Sequence, residues 1–128
     1  MTVPYRPAGH ATVSPYLLVS DAAGLVDFLK QAFDGREISR TERTDGTIMH
    51  AAVAIDDSVV MVGSRNVAFQ NSTHLYVSDV DETYRKCLAL GAESLSEPST
   101  FGYGDRSAGI RDAFGNVWWL GTHMGEKV

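Results

Sequence analysis

His74-Leu75-Tyr76-Val77-Ser78-Asp79-Val80-Asp81 is the stretch that decides the fold. Its first half belongs to a strand over Thr73–Val77, and Ser78-Asp79 opens a helix over about Val80–Leu90. Tyr84, Cys87 and Leu88 form the apolar stripe of that helix. Asp79 and Glu82 have the spacing of a capping box, and Gly91 stops the helix. Three short strands follow over Glu93–Ser96, Asp105–Arg111 and Val117–Thr122, separated by a loop at Pro98–Gly104 and a turn at Asp112–Asn116. The same order occurs once upstream, where Val19-Ser20-Asp21 matches Val77-Ser78-Asp79. A strand over Ala11–Val19, with Pro15 marking an edge or a bulge, leads into a helix over Ala22–Phe33. Leu25, Val26, Leu29, Ala32 and Phe33 share one face of it, and Asp34-Gly35 ends it. Strands over Glu37–Arg43, Thr47–Ile55 and Ser58–Val62 follow, with turns at Thr44-Asp45-Gly46 and Asp56-Asp57.

The chain thus reads as a single α+β domain of two tandem βαβββ modules, about 11–64 and about 72–123, joined by a connector over 65–71. Residues before Ala11 carry Pro4, Pro7 and Gly9 and read as a loose arm. One helix covers one face of a four-stranded sheet and leaves the other bare. Two modules that bring their bare faces together would enclose a cleft; an α+β sandwich of the same elements fits nearly as well. The length of 128 residues suits one core, and 44% apolar with 21% charged residues is globular composition. Sixteen acidic against eleven basic residues give a net charge of −5, which disfavours nucleic-acid binding by phosphate neutralisation. Cys87 is the only cysteine, so intrachain disulfides and cysteine-cluster metal sites are excluded. No apolar run reaches the roughly 18 residues of a membrane span, and the polar, proline-rich start is unlike a signal peptide. The expectation is a cytoplasmic protein with neither a membrane nor a nucleic acid as partner.

Three stretches carry a family likeness: Pro15-Tyr16-Leu17-Leu18-Val19, His74 to Asp81, and Arg111-Asp112-Ala113-Phe114-Gly115-Asn116-Val117-Trp118-Trp119-Leu120. With the duplicated module order, they resemble the vicinal oxygen chelate superfamily, which includes glyoxalase I, bleomycin-resistance proteins and extradiol dioxygenases. Within it the chain is most similar to the PhnB-like group. The last stretch resembles an arginine–aspartate–proline–phenylalanine–glycine–asparagine–x–tryptophan signature, with Ala113 in place of proline. The resemblance implies the glyoxalase/bleomycin-resistance/dioxygenase fold and a homodimer. It also implies four metal-ligand positions in metal-dependent members, which fall here on Ser14, Met61, Ser72 and Trp119. Hydroxyls, a thioether and an indole are not a Zn²⁺ or Ni²⁺ ligand set. No metal and no cofactor are therefore expected, which argues against glyoxalase I and dioxygenase chemistry.

The side chains left to serve a ligand are Tyr16, Met61, His74, Tyr76 and Trp119, with Phe101 and Tyr103 on a loop able to cover the cleft. Ser72, His74 and Tyr76 alternate onto one strand face. His74 is the one candidate for acid–base catalysis; it could equally be a satisfied neutral histidine, or join His50 in an off-pattern metal site. Trp119 either stacks on a planar or cationic small molecule or fills the cleft as core. Cys87 reads as a small buried hydrophobe, and Arg111 as the partner of Asp112 or Asp105 in a solvated ion pair. His10 falls in the arm and His123 just past the last strand, where neither is expected to act. The favoured function is metal-independent small-molecule binding or sequestration of the bleomycin-resistance type. The alternatives are a glyoxalase-like lyase or isomerase with a non-standard site, and a dimeric protein with no ligand.

Overall fold

A computed structural model describes residues 4–66, 69–100 and 104–124. Its elements run β1 (Tyr16–Val19), α1 (Ala22–Phe33), β2 (Arg36–Glu42), β3 (Ile48–Ile55) and β4 (Ser58–Ser64), then β5 (Ser72–Tyr76), α2 (Val80–Ala89), β6 (Glu93–Thr100), β7 (Asp105–Arg111) and β8 (Val117–His123). The chain divides into two compact units, residues 1–69 and 70–128. Each holds one helix and one four-stranded sheet, in the orders β1-β4-β3-β2 and β5-β8-β7-β6. In each sheet the first strand pairs in parallel with the last, and the other pairings are antiparallel. This is the α+β fold of two tandem βαβββ modules.

The matching Val-Ser-Asp triplets start the two helices in the same way. Asp21 Oδ1 accepts from the Gly24 backbone N–H at 2.9 Å, and Asp79 Oδ1 from that of Glu82 at 3.2 Å. In the first unit α1 buries Leu25, Val26 and Leu29 over Leu17, Val19, Val53 and Val62. The stripe on α2 is thinner, with Val80, Tyr84 and Cys87 buried, and the indole of Trp118 supplies much of the remaining core volume. Thr122 pins the helix start to the sheet: its Oγ1 accepts from the Val80 N–H at 3.0 Å and donates to the Val77 carbonyl at 2.8 Å.

Most strand boundaries shift by one or two residues from the sequence reading, and three of the differences bear on the site. The first strand begins at Tyr16, not Ala11, because Pro15 has no N–H to start a ladder; its carbonyl still accepts from Met61 at 2.9 Å. Strand β6 runs through Pro98 to Thr100 instead of ending at Ser96. It is an edge strand with register shifts on both sides of Ser96, so the missing N–H removes no essential bond. Strand β8 extends to His123, which pairs with Asp105.

Candidate ligand-binding site

Strand alternation sends Leu17 and Val19 under α1 and leaves Tyr16 on the bare side of the first sheet. Pairing then fixes a row across that side: Met61 beside Tyr16, Ala52 beside Met61, and Ser39 beside Ala52. His50 lies on the same side, its ring edge-on to Tyr16 with centroids 5.7 Å apart. Tyr16, His50 and Met61, together with Tyr5, Arg6 and His10 of the arm, line a pocket of about 740 Å³. The arm is tied by an Arg6 Nη1 bond to Thr12 Oγ1 at 2.6 Å and a bond from the His10 N–H to the Pro7 carbonyl at 3.2 Å. His10, placed by the sequence in the arm with no chemical role, stands in the pocket wall.

The second sheet presents Ser72, His74 and Tyr76 on its bare side, as alternation requires. Trp119 pairs with His74 on β5 and Gly109 on β7, and its ring lies across Gly109, where a Cβ would collide with the indole. Its Nε1 donates to Ser72 Oγ at 2.8 Å, and the residue is 41% exposed. The His74 ring meets Tyr76 edge-on at 4.6 Å. Both rings pass over Gly121; a Cβ there would sit 3.1 Å from His74 Nε2 and 3.6 Å from Tyr76 Cε1. Tyr76 OH donates to Asp105 Oδ2 at 3.1 Å, and His123 Nδ1 lies 2.8 Å from Asp105 Oδ1. The His123 bond, and after it the Tyr76 hydroxyl, hold the Asp105 carboxyl below its ordinary range against the opposing effect of desolvation.

Of the expected ligand-binding residues, Tyr16 and Met61 meet in the first unit, and His74, Tyr76 and Trp119 meet in the second. Phe101 and Tyr103 lie outside the described residues. Asp105 and His123 were missed, although counting back from the last turn pairs them directly. The arm residues Tyr5 and Arg6 were missed too, and no periodic pattern in the sequence marks them. Arg111 donates to Glu93 at 3.0 Å, so its partner is neither Asp112 nor Asp105. Cys87 is fully buried, and desolvation pushes its thiol up to about 11.

A family model described as the Glyoxalase/Bleomycin resistance protein/Dioxygenase superfamily matches residues 8–120. The chain belongs to this superfamily. Uncharacterized proteins of Mycobacterium bovis and Mycobacterium tuberculosis are each 33% identical over 98% of this chain, covering 90% and 80% of their own lengths. TioX from a Micromonospora species superposes with a TM-score of 0.75 at 26% identity, over 88% of this chain and 98% of its own. The fosfomycin resistance protein FosX from Listeria monocytogenes gives 0.74 at 19% identity, over 90% and 93%, a likeness of fold. A PhnB protein from Bacillus cereus gives 0.69 at 16%, over 88% and 99%.

The superfamily's metal does not fit this donor set. Ser72 Oγ and Trp119 Nε1 bond to each other, and an indole N–H has no lone pair for a cation. Ser14 and Met61 line the first unit's pocket as a neutral hydroxyl and a thioether. Among the described residues, no three His, Cys, Asp or Glu side chains gather in a group able to hold a metal ion. No described helix is long and apolar enough to cross a membrane.

Proposed function

We propose that the chain binds a planar small molecule without metal, as a binding or sequestration protein. The observation that carries this reading is the pocket of about 740 Å³ on the bare face of the first sheet, within the size range of small-molecule sites. Tyr16 and Met61 supply polarizable contact area, and the His50 ring adds a polar edge. Among the described residues the wall carries the Arg6 guanidinium and no carboxylate, which favours a neutral or acidic planar ligand over a cationic one. Trp119, His74 and Tyr76 offer a second aromatic surface to a ligand.

Calorimetric titration with a panel of planar aromatic acids, neutral heterocycles and planar amines tests this reading. The expected result is binding of acids or neutral rings that weakens at least about tenfold in Tyr16→Ala, the loss of a contact of about 1.4 kcal/mol. Absence of heat from every class at millimolar ligand would overturn it. The homodimer and the cytoplasmic location belong to the same proposal. Sedimentation at micromolar concentration tests the dimer, and a monomer throughout would remove it.

A further inference from the structure

We infer that Asp105 and His123 form an acid–base pair on the bare face of the second sheet, with His123 Nε2 as a general base toward water or a hydroxyl group of a bound molecule. The antiparallel register places the two residues directly opposite each other on β7 and β8, and Asp105 Oδ1 lies 2.8 Å from His123 Nδ1. Asp105 is 8% exposed, and its other oxygen accepts from Tyr76 OH at 3.1 Å, so the carboxylate is fixed from two sides. An ionised carboxylate has no proton to give, so Nδ1 carries the hydrogen and Nε2 is left with the lone pair. The His123 side chain is 60% exposed, and Nε2 has no hydrogen-bond partner among the described residues. A base whose orientation is set by a buried carboxylate and whose reactive nitrogen is accessible has the geometry of a general base oriented by a third group.

The surroundings are specific to this unit. From β5, His74 and Tyr76 face Asp105 and His123; from β7, Ser107 lies opposite Gly121. Arg106 does not share the site, because its guanidinium is paired with Asp81 at 2.7 Å. Gly121 leaves the floor low enough for the two β5 rings to lie on it. Asp105 is a positioning residue here and His123 the catalytic one. The reaction class is acyl transfer from an ester to water or an alcohol, by addition to the carbonyl and expulsion of the leaving group. Nε2 takes the O–H proton as the oxygen–carbon bond forms, and the leaving group departs with its electron pair and recovers a proton from the imidazolium or from solvent. Neither residue of this pair lines the first unit's pocket.

The probe is p-nitrophenyl acetate, where water adds, the acyl–oxygen bond breaks, and acetate and p-nitrophenolate are released. Nitrogen-15 spectra of the histidine rings report the tautomer. The expected result is His123 in the Nδ1–H form and hydrolysis above buffer that falls at least about tenfold in His123→Gln, the low side of what a positioned base supplies. Imidazole should restore part of the rate to His123→Ala. Asp105→Asn should lower the rate and shift His123 toward the Nε2–H form. A wild-type rate no greater than that of His123→Gln would overturn the inference, as would an Nε2–H tautomer in the wild type. His123 is largely exposed, so its variants should fold even if Asp105→Asn does not.

Discussion

Replacing Asp112 by alanine should destabilise the second unit more than any change to an exposed residue of that unit. The Asp112 carboxylate is 3% exposed and accepts four separate donors. The backbone N–H groups of Phe114 and Asn116 reach Oδ1 at 2.9 Å each, Asn116 Nδ2 reaches Oδ2 at 3.1 Å, and Trp118 Nε1 reaches Oδ2 at 2.8 Å. Asn116 and Trp118 are each 1% exposed, so water cannot fully replace the lost acceptor. Stranding a buried donor costs about 1–3 kcal/mol, and partial relaxation of the turn brings the total to about 3–5 kcal/mol. Urea denaturation of Asp112→Ala against wild type measures this directly. Trp118→Phe keeps most of the ring but removes one donor, so the double mutant should be less destabilised than the sum of the singles by about 0.5–2 kcal/mol. A loss below about 1 kcal/mol for Asp112→Ala would show that the carboxylate is not the hub of the hairpin.

Trp119→Ala should cost about 2 kcal/mol of stability, because the residue is 41% exposed and only part of its ring area is removed from water; a loss above about 4 kcal/mol in denaturant melts would make it core. Cys87 is buried with its thiol raised to about 11, so Ellman's reagent should find no reactive thiol in the native protein and one after denaturation. Arg106 holds the Asp81 carboxyl below its ordinary range, as His123 does for Asp105. A lowered folded value means stability present above the unfolded carboxyl value of about 3.9 and lost as pH falls through the folded one. The urea midpoint should therefore drop below about pH 4, and Asp81→Asn should reduce that drop.

The fold was legible because it is written in local chemistry that occurs twice. Ser20-Asp21 and Ser78-Asp79 cap helices by the same side-chain bond, and each helix ends where Gly35 or Gly91 follows. The Arg111 to Trp118 signature occurs once and was legible because its chemistry is local. Asp112, Asn116 and Trp118 lock one turn, so their spacing records a structural need. The site was only half legible. Alternation from Ser72 put His74 and Tyr76 on one strand face, since period two is a backbone property, whereas Met61 and Trp119 came from the positions that the family resemblance implies. The arm's share of the pocket had no such period, because Tyr5, Arg6 and His10 sit on irregular backbone ordered by single bonds such as Arg6 to Thr12. The Asp105–His123 pair was concealed by placing the end of the last strand one residue too early.

The claim of metal-independent binding is tested most directly by titrating chelator-treated protein, verified free of metal, with a planar aromatic ligand selected from the panel. The expected result is the same affinity before and after one equivalent of Zn²⁺ or Ni²⁺ is added, and a weaker affinity in Tyr16→Ala under both conditions. Binding that appears only after the metal is restored would contradict it.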